Sequence, residues 1–188
     1  LAMMEVLGRD MHDQPATAGG PDLPASITLP SLQAGRVTRA LATIFTECKG
    51  TDPRIGYAEG DAVAAHAVGL AQLKVYEQWE ARGDISIKKR GRKSGGAAAP
   101  LRVGILMEGA DPITNPGELE WWADRGVIVV AMAWWTPSRY SGGNGTPPTD
   151  PNAGLSAMGR ELVQEIDRLD LVHDVSHLSD VAFDQLLS

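Results

Sequence analysis

Glu108 and His177 are the two side chains whose type and position suit metal chemistry. Each follows an apolar run: 101–107 (LRVGILM) precedes Glu108, and 171–176 (LVHDVS) precedes His177. In parallel α/β folds the working residues gather at the C-terminal ends of strands, where loops form the open face. The same rule selects Glu47 and Cys48 after 37–45, Asp111 just beyond Glu108, and Trp134 and Trp135 after 127–133. A carboxylate can bridge two metal ions, and neutral imidazole is the commonest nitrogen ligand for zinc. A Glu or His at a strand end also serves as an ordinary loop hydrogen-bonding group, and the residues alone leave that reading open.

Other candidates are weaker on chemical grounds. His173 and His177 have the spacing of a helical two-histidine zinc motif, but that motif needs a helix and a Glu beside the first histidine. Here the neighbour is Asp174 and the segment reads as a strand, so His173 is expected to be packed or partly exposed. His66 falls in a predicted helix and His12 in an irregular start; surface roles are expected for both. Cys48 is the only cysteine, which excludes an internal disulfide and a cysteine-rich zinc site. It has no evident histidine partner to make it a catalytic thiol. Trp121, Trp122, Trp134 and Trp135 read as core and pocket wall rather than a base-stacking platform.

These residues need elements to carry them. The runs 37–45 (VTRALATIF), 101–107, 127–133 (VIVVAMA) and 171–176 are strand candidates, and three of them are continuously apolar, as strands buried on both faces are. A long helix is predicted over 61–82, with Val63, Ala67, Leu70 and Leu73 at helical spacing and Gly83 as its stop. A short helix is predicted over 118–125, stopped by Gly126. Ser156 caps another, on which Met158, Leu162, Val163, Ile166 and Leu169 form an apolar stripe. One helical turn is expected near 29–32, ending at Gly35, and a helix begins after 178. Residues 84–100 read as a solvated basic and Gly/Ala loop containing Lys88, Lys89, Arg90, Arg92 and Lys93. Residues 136–154 are too rich in Gly, Pro and Asn for an element, and a loop of that length is usually functional or disordered. Strands separated by helices are the signature of βα units in a parallel sheet. No glycine-rich phosphate fingerprint follows any strand, which argues against a Rossmann-type nucleotide site.

The 188 residues suit one domain, and 43% apolar with 22% charged residues is ordinary for a soluble globular chain. A net charge of −7 argues against nucleic-acid partners, whose phosphates it would repel. No apolar run approaches the roughly 20 residues that span a bilayer. A single cysteine and no visible signal segment favour a cytoplasmic location, although the chain starts at Leu1 without an initiator methionine.

Several segments, in order, resemble one family: Met107-Glu108-Gly109-Ala110-Asp111-Pro112, Gly126-Val127-Ile128-Val129-Val130 and Arg139-Tyr140-Ser141-Gly142-Gly143. They continue in Gly154-Leu155-Ser156, Gly159-Arg160-Glu161-Leu162-Val163 and Asp174-Val175-Ser176-His177-Leu178-Ser179-Asp180. The family is the renal or membrane dipeptidases, zinc enzymes among the amidohydrolase-like (β/α)₈ barrels. The resemblance implies a dipeptide substrate, hydrolysed by a hydroxide that bridges two zinc ions. It implies that Glu108 bridges both metals and that His177 binds one. The other zinc is bound in the family by a His-x-Asp pair just before a Leu-Ala like Leu1-Ala2. A further metal-binding histidine and a late catalytic aspartate lie on strands beyond Ser188, so no catalytic residue is assigned within the chain. Some relatives carry a histidine where this chain has Trp134, which bears on substrate preference.

A complete barrel has eight strands and about 250 residues; four strand candidates are visible here. The expected fold is therefore α/β, a partial (β/α)₈ barrel forming one incomplete domain over residues 1–188. Its two open sheet edges and uncovered apolar face would favour self-association, so a homo-oligomer is a further expectation. Two alternatives accompany the dipeptidase reading: a non-catalytic half-barrel that works by pairing, and another amidohydrolase-like metal hydrolase.

Overall fold

Strand β5 (Leu101–Glu108) is the spine of the computed structural model, which describes residues 1–19, 25–90 and 101–188. Its alternation explains its place: Leu101, Val103, Ile105 and Met107 all point into the principal core, leaving Gly104, Leu106 and Glu108 on the opposite face. β1 (Arg39–Phe45) lies along one side of β5, and β6 (Val127–Ala131) along the other, followed by β7 (Val172–Asp174). Every one of these pairings is parallel, so the fold is α/β, with a strand order that matches part of a TIM-like barrel. A two-stranded ribbon, β2 (Glu47–Cys48) with β3 (Gly56–Tyr57), stands beyond the end of β1.

The helices are α1 (Ala2–Val6), α2 (Leu29–Ala34), α3 (Ala62–Arg82), α4 (Leu119–Asp124), α5 (Ala157–Arg168) and α6 (Asp180–Leu187). A 3₁₀ turn, Pro116–Glu118, leads into α4. They cover the convex face of the sheet, where Ile44, Ile105, Met107, Trp122, Leu162 and Ile166 are fully buried. Each such side chain contributes about 1.5–3 kcal/mol by leaving water. The caps follow the sequence signals. Asp61 accepts the N–H of Ala64 at 2.9 Å, Gly83 ends α3 at φ +84°, and Ser156 accepts the N–H of Gly159 at 3.0 Å.

Two expectations require correction. The stripe of α3 is rotated from the predicted one: Val63 is 79% exposed and Ala67 is also exposed, whereas Ala65, Val68, Gln72, Leu73, Tyr76 and Trp79 are buried. Small apolar residues occur all round the first half of this helix, so the large aromatic rings Tyr76 and Trp79 set its rotation. The loop expected from residue 84 contains a strand, β4 (Ile85–Ile87), paired with the start of β5. Its Ile-Ser-Ile alternation is too short to register beside the basic run. Residues 91–100 of that stretch, including Arg92 and Lys93, lie outside the described residues. β4 and β6 share one flank of β5 end to end; Gly126 makes room at the junction, since a Cβ there would stand 2.2 Å from Ile87 Cγ2.

The outer edge of β1 is partly closed by α3. Thr38 O accepts from Arg102 N on the β5 side, so Thr43 and Phe45 turn their backbone groups the other way. There the Tyr76 hydroxyl donates to Thr43 O at 2.8 Å, and Gln72 donates to Phe45 O while accepting from Phe45 N. Buried Gln72 is satisfied by doing the work of a neighbouring strand. On the concave face the apolar surface remains open: Leu41 on β1 is 53% exposed and Val172 on β7 is 57% exposed. No helix among the described residues is long and apolar enough to cross a membrane.

Candidate metal centre

Glu108 is the last residue of β5, and His177 follows β7 two strands away. The structure brings them together: His177 Nε2 lies 3.2 Å from Glu108 Oε1, with the two side chains 29% and 25% exposed. Zinc holds nitrogen and oxygen ligands at 2.0–2.2 Å; at a tetrahedral angle, two such ligand atoms stand about 3.3–3.5 Å apart. The observed pair is slightly closer than that, the distance of a direct imidazole–carboxylate contact, so a small separation would admit one ion between them; carboxylate with imidazole is a donor set that zinc accepts. The other ring nitrogen, Nδ1, is buried without a hydrogen-bond partner.

The loop 136–154 positions this pair. Asn144 N–H donates to His177 O at 2.9 Å, and Gly143 bridges to Leu178. The loop is anchored in turn to the segment after Glu108 by Arg139. Its guanidinium donates to the carbonyls of Asp111, Ile113 and Thr114 at 3.2, 2.7 and 3.2 Å. Asp111, 2% exposed, accepts the Arg139 backbone N–H at 2.9 Å and the Tyr57 hydroxyl at 2.6 Å. Asp111 is thus a buried tie between loops, not a group held free at the mouth of the sheet.

Two aromatic rings stand beside the pair. Phe45 is the in-register neighbour of Glu108, and its ring meets Trp134 edge-on at 5.0 Å. The Trp134 ring lies 6.2 Å from that of His177. Trp135 is 59% exposed. Glu47 and Cys48 fall on the β2–β3 ribbon; Cys48 is buried, and desolvation pushes its thiol pKa up, the direction of an unreactive thiol. A cavity of about 500 Å³ lined by Cys48, Glu59, Asp111, Arg139 and Arg160 lies under the loop 136–154, and neither Glu108 nor His177 lines it.

The remaining histidines are more engaged than surface roles imply. His66 Nδ1 contacts Pro112 O at 2.8 Å and Glu118 Oε1 at 3.3 Å, and its ring abuts Trp122. His173 pairs with Asp167 at 2.8 Å, as a partly exposed histidine would. His12 contacts Asp84 at 3.0 Å and packs edge-on against Trp79. With Glu5 and Asp10 it forms a group whose ligand-type atoms lie within 4.8 Å of one another. The sequence shows no sign of that group, because its members meet only through the turn after α1. His12 reaches the start of β4, the end of the sheet opposite Glu108.

Comparisons with known proteins bear on the fold and the family of the chain. A protein in the PQQ-III 3′ region of Acinetobacter calcoaceticus is 33% identical over 91 residues, covering 46% of this chain and 29% of its own. Among solved structures, dipeptidase AC, a metallopeptidase of family M19, superposes with a TM-score of 0.67 at 24% identity, covering 88% of this chain and 51% of its own. A metallopeptidase from Rhodobacter sphaeroides does so at 0.69 and 23%, covering 88% and 54%. The probable dipeptidase PvdM from Pseudomonas aeruginosa does so at 0.68 and 18%, covering 98% and 52%. The chain thus spans about half the length of these solved relatives. The sequence model of the membrane dipeptidases, peptidase family M19, matches residues 4–188, and the chain belongs to that family.

Proposed function

We propose that these residues form one half of a zinc dipeptidase barrel, with Glu108 and His177 as metal ligands at its mouth. The observation that carries this reading is the 3.2 Å approach of His177 Nε2 to Glu108 Oε1 in a chain of the membrane dipeptidase family. Glu108 would hold the metal as the shared carboxylate ligand that the resemblance implies, and His177 would hold it through its imidazole. Backbone contacts from Asn144 and Gly143 set the place of His177, and the Asp111–Arg139 tie sets the loop beside Glu108. When bound, zinc would supply an activated water near neutral pH and polarisation of the scissile carbonyl. Dipeptides are the substrate class: the Rhodobacter sphaeroides relative was solved with a phosphinate mimic of the dipeptide L-Ala-D-Ala.

Glu108 and His177 are only part of the ligand set that the resemblance implies. The 188-residue chain by itself should therefore bind zinc weakly and hydrolyse no dipeptide. Calorimetric titration with zinc tests the assignment. Weak binding that falls at least about tenfold further in Glu108→Gln and in His177→Ala is expected, since even outer-shell losses cost 10–100-fold. Binding untouched by both substitutions would overturn it; dipeptide hydrolysis by the isolated chain, abolished by Glu108→Gln, would overturn only the expectation that this half-site is inactive. A second reading, a non-catalytic half-barrel that works by pairing, draws on the exposed Leu41 and Val172 on the two edge strands. Sedimentation of the metal-free chain decides it, a monomer at micromolar concentration removing the pairing role.

A further inference from the structure

We infer that Glu5, Asp10 and His12 form a second divalent-metal site, suited to zinc, at the end of the sheet opposite Glu108. The inference is independent of the dipeptidase reading, since it concerns other residues at the other end of the fold. Ligand-type atoms of the three side chains lie within 4.8 Å of one another. One imidazole with two carboxylates is a donor set that zinc takes, and two negative charges match one divalent cation.

The turn that carries these groups is held by its own backbone. Met11, between Asp10 and His12, is fully buried, and its carbonyl accepts the Leu29 N–H at 2.9 Å. Glu5 accepts the Met11 N–H at 2.9 Å through one oxygen, and Asp10 accepts the His12 N–H at 2.8 Å through one. Each carboxylate keeps a second oxygen for an ion.

His12 is oriented from outside the group. Its ring packs edge-on against Trp79 at 5.5 Å, and Nε2 lies 3.0 Å from Oδ2 of Asp84, the residue before β4 and 72 positions along the chain. Arg82 reaches that same carboxylate oxygen through Nε at 3.0 Å and His12 Nε2 through Nη2 at 3.1 Å. Its charge is already paired with Asp84, so the ring N–H goes to the carboxylate. Nδ1 then presents a lone pair, 3.5 Å from Asp10 Oδ1 and too far for a good hydrogen bond. Two acceptors facing each other repel unless a cation lies between them. A metal-binding histidine usually donates its other N–H to a carboxylate in this way, which fixes the ring and its tautomer. Two tetrahedral zinc ligands stand about 3.3–3.5 Å apart, so closing the group takes a movement of about 1–1.5 Å. The Asp10 side chain, 62% exposed, is free to make it, and an ion reaches the group directly from solvent. Once seated, the ion would staple the segment after α1 to the start of β4.

Zinc binding is measured by equilibrium dialysis on the 188-residue chain carrying Glu108→Gln and His177→Ala, which removes the ligands proposed above. One zinc per chain is expected, and zinc about a hundredfold above the dissociation constant should raise the thermal midpoint by about 5–10 °C. Asp10→Asn and His12→Gln should each weaken binding by about tenfold or more and remove that rise. Asp10→Asn keeps an acceptor for the His12 N–H, so it tests ligation rather than folding. Asp84→Asn supplies no ligand and should still weaken binding by about 10–100-fold, through loss of the orienting partner. Asp13→Asn, at an exposed carboxylate outside the group, should leave binding unchanged. No saturable binding in the double variant would overturn the inference and leave the dipeptidase reading standing. Equal losses in Asp13→Asn and Asp10→Asn, the mark of scattered surface carboxylates, would overturn it too, as would binding that ignores His12→Gln or Asp84→Asn. Saturable binding that depends on Asp10, His12 and Asp84 supports the site whatever becomes of Glu108, and His12→Gln then leaves the Glu108–His177 site to be titrated alone.

Discussion

The Tyr57 hydroxyl donates to Asp111 Oδ2 across 2.6 Å, joining a two-residue strand to the segment just beyond Glu108. The other oxygen of that buried carboxylate accepts the Arg139 N–H, so one side chain ties three loops at the open end of the sheet. Desolvation pushes the Tyr57 pKa far above its ordinary value, and the adjacent Asp111 charge adds to the shift. The Arg139 guanidinium also stands 3.4 Å from Asp111 Oδ1 through Nε; breaking a buried ion pair costs about 3–5 kcal/mol, and losing one hydrogen bond costs about 1 kcal/mol. Asp111→Ala should therefore destabilise the chain severely, and Tyr57→Phe by about 1–2 kcal/mol. Urea unfolding with a common slope checks both; a loss below about 1 kcal/mol for Asp111→Ala would show the tie to be incidental.

Gly143 is a position where the long loop leaves no room for a side chain. A Cβ there would lie 2.1 Å from Trp134 O, 2.6 Å from Thr136 O and 2.7 Å from Trp135 O, all backbone atoms that cannot swing away. Overpacking of this kind costs about 1–3 kcal/mol. Gly143→Ala should lower stability by that amount and change the near-ultraviolet dichroism of the neighbouring indoles. Gly117→Ala, whose methyl would meet only Asn115 Oδ1 at 3.4 Å, is the control, expected within about 0.5 kcal/mol of wild type.

Tyr76 supplies a pH dependence with a definite sign. Burial raises its hydroxyl pKa from 10.0 to about 12, against the opposing effect of the Ala2 N–H. The unfolded chain therefore loses this proton first as pH rises. The contribution of Tyr76 is complete below pH 10.0 and is lost between there and about 12. Stability measured by denaturant midpoint should fall across that window, and less steeply in Tyr76→Phe. The variant should also be less stable at neutral pH by about 1–3 kcal/mol, because Thr43 O and Ala2 N lose their partner. Equal slopes for the two proteins above pH 10.0 would refute this assignment.

Much of the architecture was legible because its signals are local. The four principal strands announce themselves as apolar runs, and Asp61, Gly83 and Ser156 mark helix ends through hydrogen bonds that span a few residues. β4 escaped because three residues carry too little pattern, and its pairing with β5 is what makes it a strand. The burial of Val68 and Tyr76 in place of Val63 and Ala67 was equally hidden, since a helix rich in alanine has no unique apolar face until partners choose one. Asp111 was visible only as a polar residue near a strand end. Its burial depends on Tyr57, 54 residues earlier, and Arg139, 28 residues later.

By itself, the sequence determined the succession of strands and helices, the family, and the placing of Glu108 and His177 each at the end of an apolar run, because periodicity and motif are properties of neighbours along the chain. Only the tertiary structure decided that these two side chains meet at 3.2 Å, and that Phe45 and Trp134 flank them. Parallel pairing of β5, β6 and β7 is the physical reason. It aligns the C-terminal ends of strands separated by tens of residues, and the packing of α3 and the 136–154 loop then fixes which side chains face one another there.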